Sequence, residues 1–227
     1  QILGREFPTS MQDGCFVSRV VCPEQDSLHP DNQSEQVALA EQGLHQAGLL
    51  APKPQLLGMD LLSDSTDPCG QEGERPSWML LYTSFVHTCS PLRCGDHFAP
   101  IPLYRLPAIA NGDHKQIIKW QEDWEACDQL QMNGSIAEHA VLHEISEVGS
   151  RLQRRGSDLA RRLEGLCGIP TYYYLYRVGG LSKAAELARP CPGCGNDWAL
   201  AAPLHEIFDF KCDPCRLVSN LSWDFKD

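Results

Sequence analysis

The sequence predicts a mixed α/β protein of the α+β kind, with an N-terminal α/β part, a long helical hairpin and a C-terminal ribbon built around cysteines. Three observations carry this expectation. Residues 135–168 place apolar residues or glycine at every third or fourth position, "PTYYYLYRV" (170–178) is an unbroken aromatic run, and two Cys-x-x-Cys pairs lie near the end of the chain. At 227 residues, 42% hydrophobic and 22% charged, the composition is that of a globular protein. The expected divisions are 1–112, 113–169 and 170–227.

Taken in order, the chain opens on Gln1 with "QILGREFP", which reads as the middle of an element, so an N-terminal piece is expected to be missing. "SEQVALAEQGLHQAGLL" (34–50) is a capped amphipathic helix, "QLLGMDLL" (55–62) a strand and "SDSTDPCGQEGERPS" (63–77) a turn-rich loop. "WMLLYTSFVHT" (78–88) suits the interior of a sheet. The four prolines of 89–107 predict an irregular but ordered connection. In 114–131, Ile117, Trp120, Trp124 and Cys127 mark one face of a helix.

The next stretch predicts one continuous helix over 135–168. Leu142, Ile145, Gly149, Leu152, Gly156, Leu159, Leu163 and Leu166 form its seam, and the two glycines let a partner backbone approach. The 114–131 helix is the expected antiparallel partner. "PTYYYLYRV" follows as a strand, and "GGLSKAAELARP" (179–190) as a turn and a short helix capped by Ser182 and stopped by Pro190.

Cys191 and Cys194 are separated from Cys212 and Cys215 by the spacing of a zinc ribbon, in which two knuckles supply a tetrahedral site. Gly195 can take a positive φ and turn its amide toward a thiolate. Four protein ligands leave no open position, so Zn2+ here is expected to be structural rather than catalytic. A redox role for the Cys-x-x-Cys pairs is the alternative. "EIFDFK" and "LVSNLSW" supply the strand patterns that the ribbon's small sheet needs. The eleven cysteines are odd in number and four sit in metal spacing, which fits a reducing cytoplasm better than a disulfide framework.

"GIPTYYYLYRVGG", "CPGCG" followed by Trp198, and "FDFKCDPCRLVSNLSW" resemble the proteobacterial family described as zinc-ribbon-containing proteins with an assumed nucleic-acid-binding role and no defined function. "PLYRLP", "WQEDWEACDQLQ" and "QILGREFP" resemble it too, so the likeness covers nearly the whole chain. It implies zinc ligands at Cys191, Cys194, Cys212 and Cys215 and an activity on nucleic acid.

Charge bears on that activity, because affinity for nucleic acid comes largely from basic groups neutralising phosphates. The net charge is −11, with 12 acidic against 4 basic residues in 1–76, and only 151–190 is basic, with 8 against 3. Lys211 and Arg216 are the basic residues nearest the knuckles. Arg151, Arg154, Arg155, Arg161 and Arg162 fall within about 120° of one another on a helix, opposite the seam. Asp158 and Glu147 are placed to pair with them, which is the competing account of that face. Tyr172, Tyr173, Tyr174 and Tyr176 with Arg177 form either a stacking platform for single-stranded bases or a core strand.

His87, Cys89, Cys94 and His97 are zinc-compatible residues within eleven positions, a candidate second metal site whose spacing matches no standard motif. His139 and His143 lie one helical turn apart, without a third ligand in the sequence. No Walker loop, nucleophile elbow, dinucleotide fingerprint or H-E-x-x-H is present, so an enzyme is not expected. Neither is a membrane partner, since no run approaches the roughly 18 to 20 apolar residues that span a bilayer. The expected function is binding of nucleic acid, RNA or single strands above all. The rival is a protein-interaction subunit docking on a larger assembly through the ribbon and the acidic N-terminal region.

Overall fold

A computed structural model describes residues 8–58, 75–87, 89–107 and 114–225. A two-stranded hairpin comes first, β1 (Thr9–Gln12) and β2 (Cys15–Ser18), antiparallel with Gln12 opposite Cys15. Its turn, Asp13-Gly14, has positive φ at both residues, 50° and 77°. This is the short-range hairpin signal, because the backbone twist of such a turn matches that of the strands. α1 (Glu35–Gln46) follows, its first turn closed by Ser34 Oγ, which accepts the N–H of Val37 at 3.3 Å. The strand expected at 55–62 is absent from 55–58, and its remainder lies outside the described residues, as does most of the expected loop 63–77.

The rest is organised by one six-stranded mixed sheet in the order β4-β3-β5-β8-β7-β6. β3 (Met79–Leu81) is shorter than the expected strand and pairs antiparallel with β4 (Leu92–Cys94), which arises within the proline-rich connection. β3 pairs parallel with β5 (Thr171–Leu175), and β5 parallel with β8 (Leu217–Ser219). β7 (Phe208–Cys212) joins β8 antiparallel, and β6 (Ala199–Leu204) forms the far edge. The ribbon strands are therefore continuous with the main sheet. All three residues of β8 are buried, and only an inner position between β5 and β7 covers them on every side.

α2 (Lys115–Asn133) buries Ile117, Trp120 and Trp124 as the stripe predicts, and Gly134 ends it in the left-handed conformation. The continuous helix expected over 135–168 is instead two: α3 (Glu138–Ser146) and α4 (Arg151–Cys167). Gly149 takes φ +92° between them. Ser150 Oγ accepts the N–H of Gln153 at 3.1 Å, and Gln153 Oε1 accepts the N–H of Gly149 at 2.9 Å. Ser150-x-x-Gln153 is thus a capping signal, and it outweighs an unbroken seam. The seam still faces the core, with Ile145, Leu152, Leu159 and Leu163 buried, but Leu166 is half exposed.

Gly156 fulfils the close-approach expectation against the predicted partner helix, through Trp120, and against an unforeseen second neighbour, Tyr173. A Cβ there would stand 2.2 Å from the Tyr173 ring and 2.7 Å from Trp120 Nε1, so α4 lies flush on β5 and α2. Every residue of β5 is buried. Tyr173 packs edge-on to Trp120, and Tyr174 enters a cluster with Tyr82 and Phe208. Tyr172, Tyr173 and Tyr174 are core and Tyr176 is half-buried against it, so the strand offers no row of exposed rings for bases to stack on. Asn220 locks the far ends of β5 and β8: its Oδ1 accepts Tyr174 Oη–H and the N–H of Arg177, and its Nδ2 donates to the carbonyl oxygens of Arg177 and Leu221.

Candidate metal centre and arginine face

α5 (Lys183–Leu187), capped by Ser182 Oγ, delivers the chain to the first knuckle. There the N–H of Cys191 donates to the carbonyl of Asn196 and that of Gly195 to the carbonyl of Cys191, both at 2.8 Å. Gly195 has φ +77°, and Arg216, which follows Cys215 in the second knuckle, has φ +52°. The residue after each second cysteine thus turns in the left-handed region, costless for Gly195 and unusual for Arg216. Gly193 is fixed by space, since a Cβ there would stand 2.8 Å from Cys215 Sγ.

The four sulfurs of Cys191, Cys194, Cys212 and Cys215 lie within 4.8 Å of one another, the only such donor group among the described residues. Cys194 and Cys212 are 3.6 Å apart. A disulfide requires about 2.0 Å, whereas a tetrahedral ion bound at about 2.3 Å sets sulfurs about 3.8 Å apart. The donor set therefore fits a metal ion. The N–H of Asn196 holds the Cys194 thiol below its ordinary range, whereas burial pushes Cys212 up to about 11. A divalent cation favours the thiolate at every position. Cys212 ends β7 and Cys215 leads into β8, so a metal here ties the loop before β6 to the sheet interior.

The basic residues nearest the knuckles are committed within the molecule. Lys211 Nζ meets Asp213 at 2.6 Å and lies over the rings of Tyr172 and Trp78. Arg216 makes a two-pronged pair with Glu164 at 3.0 and 2.9 Å and donates to the Asp213 carbonyl. Those contacts hold the Glu164 and Asp213 carboxyls below the usual range, through the Arg216 and Lys211 hydrogen bonds respectively. Arg177 forks onto Glu186, a carboxylate only 5% exposed that Arg189 also approaches at 3.3 Å. Arg189 itself lies over both the Trp198 and Phe210 rings, at 4.8 and 4.6 Å.

Arg151, Arg154, Arg155, Arg161 and Arg162 all project to solvent from α4. Asp158 pairs with Arg162 at 2.7 Å and Arg161 at 3.7 Å, as the spacing predicts. Arg155 pairs at 2.6 Å with Asp123 of α2, a partner that no spacing within α4 could reveal. Among the described residues, Arg151 and Arg154 make no ion pair, including with Glu147.

The second candidate metal set is not gathered. Cys94 Sγ and His97 Nδ1 are 3.7 Å apart, but Cys89 Sγ takes a hydrogen bond from the Arg93 guanidinium at 2.8 Å and His87 Nδ1 meets Ser84 Oγ at 2.6 Å. His139 and His143 are exposed on α3.

Fold and site together define a class: an α+β protein whose last strands carry a four-thiol centre set into the main sheet. Three profiles, each described as a domain of unknown function, match in series: DUF8589 over residues 1–58, DUF2310 over 73–176 and DUF8594 over 180–225. A Haemophilus influenzae protein described as uncharacterized is 49% identical over 231 residues, covering 99% of this chain and 86% of its own length. A second from that organism is 52% identical over 173 residues, covering 75% of this chain and 82% of its own. The chain belongs to the family of these two proteins, marked by the domain of unknown function DUF2310. No solved structure matches it. No helix among the described residues is long and apolar enough to cross a membrane.

Proposed function

We propose that the chain is a protein-interaction subunit whose sheet is closed by a structural zinc ion at Cys191, Cys194, Cys212 and Cys215. Thiolate donors in a closed tetrahedral set favour zinc over harder cations. The interaction reading is carried by the N-terminal region. Between residues 8 and 58 only Ser27 is buried, while Met11, Phe16, Val37, Leu39, Leu50, Leu56 and Leu57 are 45 to 86% exposed. Ordering a helix and a hairpin costs conformational entropy that burial normally offsets, and Met11 and Phe16, paired across the hairpin, present exposed apolar side chains of the kind that mark contact surfaces. With 12 acidic residues in 1–76, the matching partner surface is apolar with a basic rim.

The test is capture of one stoichiometric protein from cell extract by the full chain, before and after nuclease. The partner is retained after nuclease and lost in a variant carrying Phe16→Ser and Leu39→Ser. A partner released by nuclease, or held equally by that variant, contradicts the reading.

Nucleic-acid binding is the second reading, favoured by the exposed arginines of α4. Arg177, Lys211 and Arg216, already paired, add little to it. If it holds, affinity for mixed oligonucleotides falls with salt and falls further when Arg154, Arg155 and Arg162 become Glu. Unchanged binding removes it.

A further inference from the structure

Below the N-terminal ends of β3 and β5 the structure holds a cavity of about 310 Å³, within the size range of small-molecule sites. Met79, Ile101, Leu106, Leu166 and Ile169 supply apolar walls, together with four prolines. The ionic residues of the lining are Arg75, Arg105 and Glu24. Glu24 comes from the N-terminal region. It accepts hydrogen bonds from Tyr104 Oη at 2.5 Å and pairs with Arg105 at 2.8 Å, and its side chain is 14% exposed. Tyr104 is further tied to Ser27, the sole buried residue of 8–58.

We propose that this cavity binds a small amphipathic carboxylate, its alkyl chain among the apolar walls and its headgroup on Arg105 and Arg75, and that Glu24 is the internal group it displaces. The protein itself supplies the headgroup chemistry, because a carboxylate already sits on the Arg105 guanidinium and the Tyr104 hydroxyl. A planar guanidinium fork matches a carboxylate in two contacts. Arg75 and Arg105 outnumber Glu24, the carboxylate residue of the lining, and a tail of matching size removes apolar wall from water. Glu24 belongs to a region that buries little else, so its release disturbs little of the core. Ligand entry would then loosen the tether of residues 8–58 to the sheet.

The test is calorimetric titration of the zinc-loaded full chain with octanoate, and with octylammonium and acetate as controls for headgroup and tail. Glu24→Gln and Arg105→Gln break the same contact, yet they move octanoate affinity in opposite directions. Removing the competitor tightens binding, and removing the headgroup partner weakens it about tenfold or more. Leu166→Trp, at a half-exposed wall position that tolerates substitution, fills the cavity and abolishes binding with the far-ultraviolet circular dichroism spectrum unchanged. Saturable octanoate binding by the wild type or by Glu24→Gln, with these shifts, supports the proposal. No octanoate binding by either protein, equal binding of octylammonium, or shifts of the same sign in the two variants overturns it.

Discussion

Replacing Gly156 by alanine puts a methyl group where the Tyr173 ring lies 2.2 Å and Trp120 Nε1 2.7 Å from the new carbon. Both rings are fully buried, so neither can swing away without moving α2 or β5. Overpacking of this kind costs about 1–3 kcal/mol, and a clash this close belongs at the upper end. Alanine returns about 1 kcal/mol of helix propensity, which leaves a net loss of about 1–2 kcal/mol. Two nearby glycines supply the controls. At Gly165 a Cβ meets nothing within 4 Å and the backbone is helical, so alanine stabilises by about 0.5–1 kcal/mol. At Gly149 space is free but φ is +92°, so alanine costs about 1 kcal/mol through the backbone alone. Urea denaturation, with a slope of about 2 kcal/mol/M, should lower the midpoint by about 0.5–1 M for Gly156→Ala and raise it for Gly165→Ala. A Gly156→Ala protein as stable as the wild type would refute the flush packing of α4 on Tyr173.

Other outcomes follow from the charged groups and the four-cysteine centre. Glu186→Ala leaves the Arg177 and Arg189 guanidiniums facing each other without their carboxylate and should cost about 3 kcal/mol, read from the same denaturation. Glu164, Glu186 and Asp213 all have depressed carboxyl pKa values, from hydrogen bonds with Arg216, Arg177 and Lys211 respectively. Their contribution is present above the unfolded carboxylate range, about pH 4, and is lost as pH falls through their lower folded values. Stability therefore drops on acidification below about pH 4, and Glu164→Gln flattens that drop; an unchanged slope would contradict the pairing. Gly193→Ala crowds Cys215 Sγ and should weaken metal retention against a chelator about tenfold. Its circular dichroism in excess metal should match the wild type.

The legible parts of the fold were those with local periodicity. Ile117, Trp120 and Trp124 mark α2 because a helix repeats every three or four residues, and the tyrosine run marks β5. The break at Gly149 was also written locally, in Ser150-x-x-Gln153, but it competes with a seam that stays in phase across it. The Asp13-Gly14 hairpin is a similar case. β4 has three residues in a proline-rich connection, too few for any period to show. The parallel pairing of β5 with β8 joins residues more than forty positions apart, so local pattern could not show that the ribbon strands complete the main sheet.

At the site, the four cysteines were legible because ligand spacing is a short-range property. The fates of the basic residues were not. Asp123 on Arg155, Glu164 on Arg216 and the Glu24 tether on Arg105 are made by tertiary packing, and each changes what a nearby cation can do. The chain's arginine-rich segment consequently looks freer in sequence than in the fold.

The most direct measurement is the zinc content of the purified full chain, for the wild type, Cys212→Ser and His97→Ala. The expected result is one zinc per chain, lost with Cys212→Ser together with the cooperative melting of the C-terminal strands, and retained with His97→Ala. Zinc that survives Cys212→Ser, or protein loaded in excess zinc that holds none, would contradict a metal centre built by the two knuckles.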